Sequence, residues 1–289
     1  MAYPKAAPEQ IIVEQTPAGL RRWCAQRRRA GESIGLVPTM GALHEGHMAL
    51  VAELSKVVDR VVVSIFVNPT QFAPGEDFTR YPRSEAADLE KLTSLGVDMA
   101  YMPTVEAMYP EGFATEVKVG GPLTERLDAV VRPGHFTGVA TVVSKLLLQA
   151  MPDVAAFGEK DYQQLQIIRR MTADLNLPIE IMAVKTVRDD HGLALSSRNA
   201  YLTAEERKIA RQLNKILART GLVLRNGMDG PAACARAEQD LRDAGFTSVD
   251  YVAFADPDSL APLTAFEGRG RILAAARLGK TRLIDNMSV

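Results

Sequence analysis

The feature that most constrains the fold is a strand, a glycine-containing turn, a helix and a second strand, which follow one another over residues 33–67. Residues Ser33–Val37 are short, apolar and bracketed by Gly and Pro, which predicts a buried strand. From Gly46 the apolar residues recur at three- and four-residue steps, which predicts a helix, and Arg60–Val67 is typical of a second buried strand. Such a unit predicts an α/β fold with a parallel sheet, whose first turn lies at the strand ends where these sheets bind ligands.

The turn itself, residues 38–47, carries groups that suit an anion. Gly41 permits a close approach of the backbone, and the helix that follows offers unpaired N–H groups. His44 and His47 are one helical turn apart, so both rings can point at one phosphate. A lone histidine would more often be a local cap, but two of the four histidines of the chain cluster here. Zinc fits poorly because the motif has no third ligand, so the turn predicts a phosphate-binding site.

Two later segments also suit a polyphosphate. The apolar run Val154–Phe157 is followed by Gly158-Glu159-Lys160-Asp161, in which Lys160 is a point charge and Asp161 suits a ribose or a magnesium ion. After the predicted strand Ile179–Val184, Ser196, Ser197 and Arg198 place two hydroxyls and a guanidinium in one loop. Alone, Gly158–Asp161 is also consistent with a simple surface turn, and Ser196–Arg198 would more often be a helix-entry turn.

Four further side chains are candidates for binding a small acid. Gln71 follows the strand Arg60–Val67, and Gln164 lies one turn into the helix predicted over Tyr162–Asp174. Arg132 and His135 are either surface groups or part of the acid's pocket. No Ser-His-Asp or Cys-His arrangement is visible in the sequence, so the residues alone indicate transfer of a nucleotidyl group from ATP to a small acid, driven by alignment and positive charge.

Charge and composition exclude several classes of protein. The net charge of −1 gives no basic surface for nucleic acid or for anionic membranes. There is no run long enough to span a membrane and no signal peptide, and the two cysteines favour a reducing cytoplasm. Gly279-Lys280-Thr281 imitates the end of a Walker A loop but lacks the earlier glycine of that motif. The sequence also has no G-x-G-x-x-G motif, so we expect no dinucleotide cofactor.

The chain divides, on this reasoning, into a catalytic domain over residues 1–186 and a smaller α+β domain over 187–289. A capping box at Thr203 predicts a long helix to about Val223, followed by a helix over 230–244 and strands over 248–254 and 271–278. We expect this second domain to act as a lid over the nucleotide site. Residues 103–134 are irregular, which is typical of a mobile flap, and Met1–Pro8 of a loose terminus.

At least four motifs in the right order carry a resemblance to a known family, among them the segment Asn68–Phe72 that contains Gln71. The segment Val37-Pro-Thr-Met-Gly-Ala-Leu-His-Glu-Gly-His47 resembles the His-x-Gly-His signature of the nucleotidyltransferase superfamily and, within it, the pantothenate synthetases (pantoate–β-alanine ligases). Phe157-Gly-Glu-Lys-Asp-Tyr-Gln-Gln164 is similar to the second signature of that family, and Ser196–Leu202 to its phosphate loop. Leu195 stands where the family usually has Met, a volume-conserving change. The resemblance covers nearly the whole chain.

The resemblance implies a Rossmann-like catalytic domain that binds ATP with Mg²⁺ and joins pantoate to β-alanine through pantoyl adenylate. It implies that His44 and His47 stabilise the transition state at the α-phosphate, with His47 also a candidate proton donor, and that Lys160, Ser196, Ser197 and Arg198 neutralise the leaving pyrophosphate. Gln71, Gln164, Arg132 and His135 would bind pantoate, and the protein would be a homodimer. The implied ATP-binding residues are Pro38, Met40, Gly41, Ala42, Leu43, His44, Glu45, Gly46, His47, Gly158, Glu159, Lys160, Asp161, Val187, Leu195, Ser196, Ser197 and Arg198.

Three alternatives remain open at this point. A different adenylyltransferase with the same turn would call for more basic groups at the acceptor site, where this chain offers glutamines. A remnant of a class I aminoacyl-tRNA synthetase would need a basic tRNA-binding surface. A nucleotide-sensing module without catalysis would bind ATP and turn over no acid.

Overall fold

The structure is a computed structural model that describes residues 11–72 and 78–289. The loose terminus expected at Met1–Pro8 lies outside the described residues. The same holds for Asp77, the first residue of a polar turn that the sequence predicts over Asp77–Pro82. The described chain forms two compact units. Unit 1 contains the described residues up to Val119 together with 133–159 and 167–185, and unit 2 contains 120–132, 160–166 and 186–289.

Unit 1 is built on a six-stranded sheet whose paired strands are all parallel, which confirms the predicted Rossmann-like α/β fold. Its strands are β1 (Ile12–Glu14), β2 (Ile34–Thr39), β3 (Arg60–Ile65), β4 (Met99–Tyr101), β5 (Val154–Gly158) and β6 (Glu180–Val184). The helices of this part of the chain are α1 (Pro17–Arg29), α2 (Glu45–Leu54), α3 (Glu85–Ser94), α4 (Val105–Met108), α5 (Asp128–Val131), α6 (His135–Ala150) and α7 (Tyr162–Asp174). Of these, α5 and the start of α7 belong to unit 2.

The strand order β1-β4-β3-β2-β5-β6 reverses direction between β2 and β5, where open α/β sheets bind their ligands. The ladder between these two strands has only two paired positions, whereas that between β2 and β3 has six. The Ile34 carbonyl accepts a hydrogen bond from the N–H of Asp153, the residue before β5. The backbone N–H and C=O groups of successive strand residues point alternately to the two neighbouring strands, so those of Ile34, Leu36 and Pro38 all face β5. Because Pro38 has no N–H to donate, it cannot extend this ladder towards the carboxyl ends of the two strands.

Two predicted helices have different bounds in the structure. The helix expected to begin near Gly138 begins at His135, because Gly134 adopts a left-handed conformation (φ 81°) and starts it three residues earlier. The single long helix expected from Thr203 to about Val223 is wrong. The chain instead forms α8 (Ala204–Ala210), opened by the predicted capping box of Thr203, and α9 (Gln212–Arg225).

Unit 2 contains the smaller α+β arrangement that the sequence predicted. An antiparallel sheet of β7 (Ser248–Ala255), β8 (Arg271–Leu278) and β9 (Thr281–Ser288) packs against α9 and α10 (Gly230–Asp243) around a shared apolar core. The sequence analysis did not predict β9. The segment that imitates a Walker A loop is the hairpin turn into this strand, with Gly279 at φ 56°. Among the described helices, none has the length and apolar character needed to cross a membrane.

Candidate active site

The turn after β2 is held by two charged side chains of α3. Gly41 and Ala42 both have positive φ (80° and 49°), so the backbone turns sharply there. The Asp88 carboxylate accepts hydrogen bonds from the N–H groups of Ala42 and Leu43, both at 2.8 Å, and Lys91 Nζ donates to the Leu43 carbonyl at 2.6 Å. Asp88 is only 1% exposed, so this carboxylate fixes the turn from inside the protein. Sequence reasoning missed it because it lies 46 residues beyond Ala42.

His44 and His47 cap the start of α2, and the cap determines where each ring carries its proton. His44 Nδ1 accepts from the N–H of Gly46 at 3.1 Å, and His47 Nδ1 accepts from the N–H of His44 at 3.3 Å. A neutral ring whose Nδ1 is an acceptor has its proton on Nε2. Both rings, with centroids 4.1 Å apart, therefore have an Nε2–H donor of the kind that a phosphate oxygen requires.

Gln71 ends a short 3₁₀ helix, Pro69–Gln71, that follows β3, and its buried side chain is held on both sides. Its Oε1 accepts from Asn68 Nδ2 at 3.1 Å, and its Nε2 donates towards Met40 Sδ at 2.9 Å. His135 Nδ1 donates to the Gln71 carbonyl at 2.7 Å, which assigns the opposite tautomer to this buried ring. Gln71, Met40 and His135, predicted from separate segments, thus meet in unit 1.

The turn that carries Gln71 is packed directly on α6. A Cβ placed on Gly138 would lie 2.3 Å from the carbonyl oxygen of Thr70, so only glycine permits this approach. Asn68 Nδ2 donates to the Gly138 carbonyl at 3.3 Å, and the Tyr109 hydroxyl donates to Asn68 Oδ1 at 2.8 Å. The backbone around Gln71 is therefore fixed independently of any ligand.

In unit 2, Lys160 lies on the 3₁₀ helix Glu159–Asp161 that follows β5. Its Nζ lies 3.8 Å from the carboxylate of Asp161, and its side chain is 19% exposed. The carbonyl of Lys160 accepts a hydrogen bond from Asn286 Nδ2 at 2.9 Å. A buried amide at the end of β9 thus anchors the backbone of the predicted phosphate-binding lysine.

The predicted phosphate loop follows a short hairpin in the same unit. Val187 and Leu195 close this hairpin through a backbone hydrogen bond of 2.9 Å. Ser196 then caps the 3₁₀ helix Ser197–Tyr201, because its Oγ accepts from the N–H of Arg198 at 3.3 Å. The side chains of Ser196, Ser197 and Arg198 are all half-buried.

The two adjacent glutamines at the start of α7 differ in what they contact. Gln163 Oε1 accepts from the N–H of Asp128 at 3.0 Å, and its Nε2 donates to the carbonyls of Leu123 and Arg126 at 2.8 and 2.9 Å. Gln163 therefore holds residues 120–132, part of the irregular stretch predicted to be a flap. Gln164, the predicted pantoate ligand, is half-buried at the next position of the helix.

A buried charge cluster holds the same segment beside Arg132. Asp128 Oδ1 accepts from the Tyr251 hydroxyl at 2.8 Å and from Arg282 Nη2 at 2.7 Å, and Arg282 also pairs with Asp250. Burial pushes the pKa of the Asp128 carboxyl upward, but the charge and hydrogen bond of Arg282, the Tyr251 hydroxyl and the charge of Arg132 outweigh it and hold the pKa below its usual value. Arg132 therefore acts electrostatically on Asp128.

A magnesium ion at this site would need oxygen ligands from the protein, from substrate phosphates and from water. Within residues 11–72 and 78–289, no three His, Cys, Asp or Glu side chains come together as a metal-binding group. Magnesium commonly binds through substrate phosphates with one or two carboxylates and several waters. Asp161, whose side chain is 48% exposed, supplies one such carboxylate. The donor set therefore fits a magnesium ion that binds together with nucleotide phosphates.

The predicted site residues fall into two groups, one in each unit. Unit 1 contains Pro38, Met40, Gly41, Ala42, Leu43, His44, Glu45, Gly46, His47, Gln71, His135, Gly158 and Glu159. Unit 2 contains Arg132, Lys160, Asp161, Gln164, Val187, Leu195, Ser196, Ser197 and Arg198. Arg132 and His135, only three residues apart in sequence, thus belong to different units.

Comparison with known proteins identifies the family. The model of the Pantoate-beta-alanine ligase family matches residues 12–288. A pantothenate synthetase from Paramagnetospirillum magneticum is 54% identical over 279 residues, which cover 96% of this chain and 98% of the relative. One from Rhizorhabdus wittichii is 55% identical over 270 residues, 93% and 95% of the two chains.

Solved structures agree with this comparison. The pantothenate synthetase of Thermus thermophilus superposes with a TM-score of 0.90 at 46% identity, over 96% of this chain and 99% of its own. The pantoate-beta-alanine ligase of Francisella tularensis, solved with β,γ-ATP and β-alanine, superposes with a TM-score of 0.80 at 33% identity, over 96% and 97% of the two chains. The chain belongs to the pantoate–β-alanine ligase family.

Proposed function

We propose that this ligase joins pantoate to β-alanine in two steps through an enzyme-bound pantoyl adenylate. In the first step a pantoate carboxylate oxygen attacks the α-phosphorus of ATP and the bond to pyrophosphate breaks. In the second step the amine of β-alanine attacks the activated carbonyl carbon, loses a proton and expels AMP, which leaves pantothenate. Family membership supports the overall reaction, and the geometry of the two histidines supports the first step.

The observation that carries the proposal is the cap of α2. Its hydrogen bonds place protons on the Nε2 atoms of His44 and His47, at the positive end of a helix dipole. Donors of this kind stabilise the extra negative charge that develops on the α-phosphate in the transition state. In this mechanism His47 also acts as a proton donor. The backbone of residues 38–47 contacts the bound nucleotide.

The predicted phosphate-binding residues of unit 2 bind the leaving pyrophosphate and neutralise its charge. Lys160 supplies a point charge, and Ser196, Ser197 and Arg198 supply two hydroxyls and a planar guanidinium. Bound Mg²⁺ would neutralise further phosphate charge, with Asp161 as the carboxylate best suited to hold it. Gly158, Glu159, Val187 and Leu195 complete the proposed nucleotide contacts.

Pantoate is a small acid with hydroxyl groups, and its proposed ligands are Gln71, Gln164, Arg132 and His135. A carboxamide can donate to and accept from such a substrate. The support for Gln71 is its fixed position between Asn68 and Met40. His135 contributes by holding the Gln71 carbonyl.

The test is pyrophosphate–ATP exchange with pantoate present and β-alanine absent. We expect pantoate-dependent exchange that is lost in Lys160→Ala and His47→Ala and retained in Lys56→Ala, whose lysine pairs with Glu53 on the surface. Adding β-alanine should then release AMP. ATP binding without exchange would refute the adenylate route and would favour a nucleotide sensor, whereas exchange that depends on a phosphorylated acceptor would indicate a different adenylyltransferase.

Three further properties belong to the proposal. We infer a homodimer from the family resemblance and a cytoplasmic location from the low cysteine content. We also retain the division into a catalytic domain over residues 1–186 and a lid domain over 187–289 as a functional hypothesis. Sedimentation of the purified chain tests the first, and proteolysis with and without ATP tests the last, since a lid that responds to the nucleotide changes its cleavage on binding.

A further inference from the structure

The end of strand β9 carries two adjacent polar residues that are almost completely buried. Asp285 is 3% and Asn286 5% exposed, and the N–H of Asn286 donates to Asp285 Oδ1 at 2.7 Å. Buried polar side chains are retained where they satisfy specific partners. Two of the partners of this pair, the Lys160 carbonyl and Arg188, carry or precede the residues that the proposed function assigns to the pyrophosphate.

Asn286 holds the backbone at Lys160. Its Nδ2 donates to the Lys160 carbonyl at 2.9 Å, and its Oδ1 accepts from Arg271 Nη1. The Arg271 guanidinium in turn stacks on the ring of Tyr162, 3.6 Å from its centroid. Asn286 thus holds the backbone of Lys160 directly and, through Arg271, holds the nearby ring of Tyr162.

Asp285 holds the hairpin that leads into the phosphate loop. Arg188 donates to both oxygens of the Asp285 carboxylate, at 2.6 and 2.8 Å. The same guanidinium donates to the Gly192 carbonyl at 3.1 Å, so it spans the hairpin closed by the bridge between Arg188 and Ala194. A bidentate pair of this kind sets orientation as well as distance. The hairpin ends immediately before Ser196.

We propose that Asp285 and Asn286 are positioning residues. They hold Lys160 and the loop Ser196–Arg198 so that both contact the same pyrophosphate. The inference rests on the proposed function, which assigns these groups to the leaving group. Lysine has a long flexible side chain, so a fixed backbone is what limits the volume that its ammonium explores. A displacement of about 1 Å in such a group costs on the order of 100-fold in rate.

The experiment is a double-mutant cycle between Asn286→Ala and Lys160→Ala, read by pyrophosphate–ATP exchange and by ATP binding. Asn286→Ala alone should lower kcat/KM for ATP by about tenfold or more, with the KM for pantoate unchanged. Because exchange is lost in Lys160→Ala, the cycle is completed with the Kd for ATP. Asn286→Ala should weaken ATP binding when Lys160 is present, but by less than about twofold in the Lys160→Ala background, because it acts through the lysine.

Two further variants separate positioning from stability. Ile216→Val removes a methyl group from the core of unit 2 and should lower the unfolding temperature without changing exchange in the folded protein. Asp285→Asn, nearly isosteric, should also lower exchange because it weakens the Arg188 pair, and it carries the test if Asn286→Ala does not fold. Additive losses in the cycle, or full exchange in a folded Asn286 or Asp285 variant, overturn the inference. Full exchange in Lys160→Ala itself would instead refute the proposed role of that lysine.

Discussion

The Asp88→Asn substitution probes how the turn after β2, residues 38–47, is held in place. The carboxylate accepts two backbone hydrogen bonds of 2.8 Å, from Ala42 and Leu43, and a third of 3.1 Å from Ser84 Oγ. Asparagine keeps one acceptor oxygen, but its amide group then faces a backbone N–H that can only donate. The loss of one charge-assisted bond and the buried unsatisfied donor together predict a destabilisation of about 2–4 kcal/mol.

Activity should fall as well, because this turn leads directly into the cap at His44. We expect kcat/KM for ATP to fall by about 10- to 100-fold, with little change in the KM for β-alanine. Asp153→Asn is the matched control: Asp153 Oδ2 accepts from the N–H of Ile34 at 2.7 Å, at the opposite end of β2. It should lower the midpoint of urea unfolding while the folded enzyme keeps its ATP kinetics. Equal kinetic losses in both variants, or a destabilisation by Asp88→Asn below about 0.5 kcal/mol, would refute the reasoning.

Two other predictions concern the supports of the site. Although burial raises the pKa of Asp128, Arg282 holds the folded pKa below its usual value, so the charged form stabilises the fold above about pH 4 and loses that contribution as the pH falls through the folded pKa. Asp128→Asn should therefore destabilise at pH 7 in urea unfolding, and a deficit that persists unchanged at about pH 3 contradicts this. Gly138→Ala should clash with the Thr70 carbonyl, destabilise by about 1–3 kcal/mol and raise the KM for pantoate. Gly221→Ala, at a buried position of α9 where the added Cβ would make only ordinary van der Waals contacts (3.7 Å from Ile272), should be neutral or stabilising.

The sequence was sufficient where local pattern and tertiary structure agree. The apolar run before Pro38, the helical spacing after Gly46 and the recurrence of the same pattern around Lys160 predicted the parallel sheet. The single long helix from Thr203 was wrong because the apolar periodicity and the helical dihedral angles both continue through Arg211, where one helix ends and the next begins. Asp88 was missed because its partners are backbone N–H groups, which leave no trace in residue type.

Strand β9 shows why residues that hold a site in place are harder to predict than residues that bind the substrate. Thr281, Leu283 and Asp285 alternate as buried positions, as in a half-buried strand, but Asp and Asn are depleted in strands and therefore hide the pattern. In the structure these two residues are buried because each has a specific partner, Arg188 for Asp285 and the Lys160 carbonyl for Asn286. The departure from strand preference is thus the signal of a role beyond packing. It follows that an unusual pair of polar residues within an alternating pattern is best treated as a candidate support for a site elsewhere in the chain.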